Sequence, residues 1–73
     1  MPSVTTVYAV SGLHCERCEA AVVKAVTALP AVRAAEADAA GGRLTVTTAG
    51  EPDDALLARA VEGAGYALAG RFS

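Results

Sequence analysis

A chain of 73 residues holds one small domain with a single thin core and leaves no room for a second, so residues 1–73 are expected to form one unit. The net charge is −2, and the six basic residues are scattered between Arg17 and Arg71, which leaves no electrostatic footprint for a nucleic acid. There is no run of about twenty apolar residues and no basic start followed by an apolar stretch, so direct membrane insertion and export are not expected.

The residues Val4-Thr5-Thr6-Val7-Tyr8-Ala9-Val10 are rich in β-branched and aromatic side chains and end at Ser11-Gly12, which predicts a strand running into a loop, with Tyr8 and Val10 on one face. From Glu16 onward, Cys18, Val22, Ala25, Val26 and Leu29 fall on one helical stripe that Pro30 ends. Val32 to Asp38 is a weak strand by propensity. The turn Ala39-Ala40-Gly41-Gly42 leads into Arg43 to Thr48, whose alternation points Leu44 and Val46 to the core. Pro52 stands where a first helical position is expected, Asp53 and Asp54 add negative charge to that first turn, and Leu57, Ala60, Val61 and Ala64 repeat at helical spacing up to Gly65. A last strand is expected from Tyr66 to about Phe72. The order strand, helix, strand, strand, helix, strand predicts an α+β, ferredoxin-like βαββαβ sandwich: a four-stranded antiparallel sheet with both helices on one face. The small side chains, dominated by alanine and valine, suit such a closely packed two-layer fold.

Both cysteines lie in Gly12-Leu13-His14-Cys15-Glu16-Arg17-Cys18, between the first strand and the first helix. They are too close in sequence to staple a fold usefully, and in a reducing compartment they are expected as free thiols. Thiolate is the metal-binding form, and a helix amino terminus favours it. Copper(I) is the metal that two thiolates alone satisfy, in near-linear coordination, whereas zinc takes four ligands and the local sequence adds only His14 and carboxylates. Three other readings stand beside this one. The cysteines are ordinary small residues at a helix start; the pair is a thiol-disulfide redox centre; or the metal is Zn(II), Cd(II) or Hg(II), with His14 or an acidic side chain recruited. The absence of tryptophan, the lack of proline between the cysteines and the short chain argue against the redox centre. His14, on an extended loop beside Cys15, points in a different direction from it, so a solvent-facing or docking role is expected ahead of a third-ligand role. Glu16 and Glu19 favour the helix start and oppose thiolate formation, and Arg17 offsets them in part.

Four blocks together resemble the heavy-metal-associated domain family, which includes free-standing copper chaperones and the amino-terminal domains of metal-transporting P-type ATPases. They are Val10-x-Gly12-Leu13-x-Cys15-x-x-Cys18, Val22-x-x-Ala25-Val26-x-x-Leu29-Pro30-x-Val32, Leu57-x-x-Ala60-Val61-x-x-Ala64 and Gly65-Tyr66. The resemblance implies Cys15 and Cys18 as the metal ligands, Cu(I) as the cargo, no enzymatic activity, and a copper-transporting P-type ATPase or its soluble metal-binding domain as partner in the cytoplasm. Leu13 departs from the family's usual methionine, an inward-packing residue, and nearly conserves its volume and polarity. Tyr66 has two readings: a strand residue covering one end of the core, or, as in bacterial members, a tyrosine near the dithiol that shields copper or hydrogen-bonds a sulfur. Met1 and the compact ending at Ser73 favour a complete small protein over a piece of a transporter, and the small exposed site leaves room for a copper-bridged homodimer.

Overall fold

A computed structural model describes residues 3–72, so Met1 and Ser73, the ends on which the expectation of a complete protein rests, lie outside it. The elements follow the expected order: β1 (Val4–Ser11), α1 (Glu16–Thr27), β2 (Val32–Asp38), β3 (Arg43–Thr48), α2 (Asp54–Gly63) and β4 (Ala67–Arg71). The four strands form one sheet in the order β2-β3-β1-β4, antiparallel throughout. Both helices pack on one face of it, which is the ferredoxin-like sandwich.

The core follows from the two periodicities. Tyr8 and Val10 of β1 and Leu44 and Val46 of β3 face Val22 and Val26 of α1 and Leu57 and Val61 of α2, all of them buried. A fully buried side chain of this kind contributes about 1.5–3 kcal/mol, so these eight positions carry most of the hydrophobic stabilisation. Weak-looking β2 forms because β3 supplies its ladder: Ala35 and Ala37 pair with Val46 and Leu44 and lie half-buried against the core.

Two boundaries differ from the sequence reading. Pro52 is not the first helical residue. It is buried ahead of the helix, and Asp53 is the cap, its carboxylate accepting from the Ala55 and Leu56 amides at 3.0 and 3.3 Å. An aspartate beside the first turn satisfies two orphan N–H groups, which a proline one residue earlier cannot do, and this moves the start to Asp54. Tyr66 is not part of β4. Gly65 turns left-handed at φ +95°, its N–H donates to the Glu62 carbonyl, and the Tyr66 N–H donates to the Val61 carbonyl. That pair of bonds is a Schellman closure, and it uses Tyr66 as the last residue of the helix cap, one position before the strand begins.

Candidate metal centre

β1 delivers the chain to Gly12, whose φ of +87° turns it out of the sheet at the end of the strand. Leu13 then plugs into the core, only 4% exposed, as its volume and polarity led one to expect. His14 and Cys15 are left outside, both exposed. Cys15 is the residue before α1, with extended backbone at φ −150° and ψ 171°, and its side chain caps no helix amide. Cys18, one helical turn later, is half-buried and packs against the core edge. The helix therefore fixes one thiol in the fold and exposes the other at its tip.

The two sulfurs lie 3.0 Å apart. The Cys18 thiol is pulled down to about 6, first by its hydrogen bond with Cys15, then by the Tyr66 hydroxyl and the His14 backbone, with burial opposing. Tyr66 feels the reverse effect: its phenol is pushed up by its interaction with Cys18, by burial and by the charge of both sulfurs. The close sulfur contact is the one between the cysteines. Both sequence readings place it here: Tyr66 lies half-buried, packed against the core and beside the dithiol. Its ring also stacks on the loop, because a β-carbon on Gly12 would meet Tyr66 Cδ1 at 3.4 Å.

Among the described residues, neither the single histidine nor any carboxylate gathers with Cys15 and Cys18 into a ligand cluster. His14 stays on the exposed side of the loop. Glu19 is engaged elsewhere, its carboxylate accepting the Ala39 amide at 2.6 Å. Two thiols side by side make a soft donor set, of the kind that heavy metals favour.

Sequence reasoning missed two supports. Glu19 had read only as helix-start charge, and nothing in local spacing signals a bond across 20 residues. The contact of Gly12 with Tyr66 was likewise hidden, although a glycine after a strand and a tyrosine after a helix-stopping glycine both mark places where backbone and ring approach closely.

The chain is 42% identical over 64 residues to Copper-transporting ATPase 2 of Rhizobium meliloti (strain 1021), an alignment that covers 88% of this chain and 8% of that protein. The chain thus spans a small fraction of the length of the curated relative it matches. Among solved structures, the CopZ metallochaperone superposes with a TM-score of 0.82 at 23% identity, covering 89% of this chain and 98% of that one, a likeness of fold. The amino-terminal domain of the zinc(II) ATPase ZiaA, in its apo form, superposes with a TM-score of 0.78 at 27% identity over 96% and 99% of the two chains. The family model of the heavy-metal-associated domain matches residues 7–67, from the middle of β1 to the start of β4, and the chain belongs to that family.

Proposed function

We propose that this chain carries one copper(I) ion between Cys15 and Cys18 and passes it, by stepwise thiolate exchange, to a thiolate pair on a copper-transporting P-type ATPase in the cytoplasm. The observation that carries this reading is the dithiol itself: two sulfurs 3.0 Å apart at an uncapped helix start, with no further ligand gathered beside them among the described residues. Two sulfurs on opposite sides of a metal ion lie farther apart than the 3.0 Å seen here, so the pair must part on loading. Cys15 is the sulfur free to move, being exposed on extended backbone, while Cys18 is held by the helix. The same asymmetry suits transfer, since an incoming thiolate replaces Cys15 first and Cys18 last. Exchange of ligands moves no electrons, and no covalent chemistry on a substrate is involved.

Similarity to a domain named for a zinc(II) ATPase makes zinc the competing cargo. The missing third and fourth ligands count against it. Anaerobic titration against a chromophoric Cu(I) chelator is expected to show tight one-to-one binding that Cys18→Ser weakens more than about hundredfold, beyond the usual effect of losing a supporting group. X-ray absorption should then report sulfur-only, two- or three-coordinate copper. Zinc binding that outcompetes copper under the same conditions, or copper binding unchanged in Cys18→Ser, would overturn the reading. Sedimentation with and without copper decides whether the exposed site also draws two chains together.

A further inference from the structure

The loop from Ser11 to Cys15 hangs between β1 and α1, and the turn joining β2 to β3 reaches both of its ends. On one side the Gly42 carbonyl accepts the Val10 N–H at 2.8 Å, where β1 gives out. On the other, the Ala39 N–H donates to Glu19 Oε2 at 2.6 Å, in the first turn of α1 and next to Cys18 in sequence. The turn is itself shaped for this purpose. Asp38 Oδ1 accepts the Ala40 and Gly41 amides at 3.0 and 3.4 Å, which folds the turn on its own side chain and leaves the Ala39 amide for Glu19.

Glu19 and Ala39 are both half-buried, so the bond is partly sheltered from water. A hydrogen bond from an amide to a charged carboxylate is shorter and about twice as strong as a neutral one, and this one is short. α1 lacks a side-chain cap at its amino terminus. Without another anchor, that first turn frays, and it is the turn that carries Cys18.

We infer that Glu19 is a positioning residue for the dithiol: by binding the Ala39 amide it ties the first turn of α1 to the β2–β3 turn and holds the Cys18 sulfur in place as the fixed ligand. This rests on the metal-carrying reading above and adds to it a residue that touches neither sulfur nor metal. A different effect of Glu19 is its negative charge, which disfavours nearby thiolates, and the two effects have opposite signs. Positioning predicts weaker metal binding when Glu19 is removed; charge alone predicts tighter binding.

The test compares wild type, Glu19→Ala and Glu19→Gln by competitive Cu(I) titration and, without metal, by amide hydrogen exchange in the first turn of α1. Glutamine keeps an oxygen to accept the Ala39 N–H and loses the charge. Glu19→Ala is expected to lower Cu(I) affinity about tenfold, the lower end for loss of a group that orients a ligand. It should also speed exchange at the amide of residue 19, which donates to the Cys15 carbonyl at 3.0 Å, and Glu19→Gln should restore both toward wild type. Unchanged affinity and exchange in Glu19→Ala, or tighter binding in both variants, overturns the inference. If wild type itself binds no Cu(I), the metal-carrying reading fails, and the exchange measurement still decides whether Glu19 holds the turn.

Discussion

Cys15 and Asp53 occupy the same structural position, the extended residue just before a helix, and they do different things there. Asp53 turns its carboxylate back onto the Ala55 and Leu56 amides and caps α2. Beside it, Asp54 takes a hydrogen bond from the Tyr8 hydroxyl at 2.7 Å and a pair of bonds from the Arg71 guanidinium, so the start of α2 is fastened to β1 and β4. Cys15 caps nothing and turns its sulfur to Cys18. One helix start is capped and fastened to the fold, and the other has no side-chain cap and carries one exposed and one half-buried thiol. A βαβ unit repeated twice thus divides its labour, the second half holding the sandwich shut and the first presenting the site.

The sharpest way to break that comparison is to make the two starts alike. Cys15→Ser places a strong capping residue before α1, and it is expected to raise the stability of the metal-free protein by about 0.5–1 kcal/mol while lowering Cu(I) affinity by more than about hundredfold. Urea unfolding and chelator competition on the same sample check both signs; a destabilised variant would mean that the thiol pair itself stiffens the helix start. Next in size is the alkaline response of the α2 end. Burial of the Tyr8 ring and its bond to Asp54 push the phenol up to about 12. Because this lies above the free value of about 10, the stabilisation is complete below about pH 10 and is lost as pH rises through about 12. Following tyrosine ionisation by ultraviolet absorbance alongside helix content should show the two changing together, and Tyr8→Phe should remove that step. The smallest effect is Asp53→Ala, expected to cost about 1 kcal/mol and about 4–8 °C in Tm with Cu(I) affinity unchanged. A loss of affinity there would show that the two helix starts are coupled.

Most of the fold was legible because its signals are local. The alternation of β3, the stripe of α1 and the stop at Gly65 each lie within a few residues and each met a matching element. Leu13 was also legible, since a leucine in place of another apolar residue has one place to go in a thin core. The misreadings came where two local signals compete. Proline and aspartate both mark helix starts, and the side chain able to reach two amides prevailed at Asp53. Tyr66 has strand propensity, yet the geometry of the preceding glycine claims its backbone for the cap. At the site, the sulfurs and their spacing stood in plain view, whereas Glu19 and its bond to Ala39 depend on how a hairpin packs against a helix, which no short window of sequence contains.

The cysteines lie within the first quarter of the chain, and what surrounds them comes from residues 39–42 and 66. Chain order places the thiols ahead of every one of those neighbours, so the residues that surround them are added only after them. The surroundings of the dithiol are therefore a property of the folded domain and not of the loop that carries it.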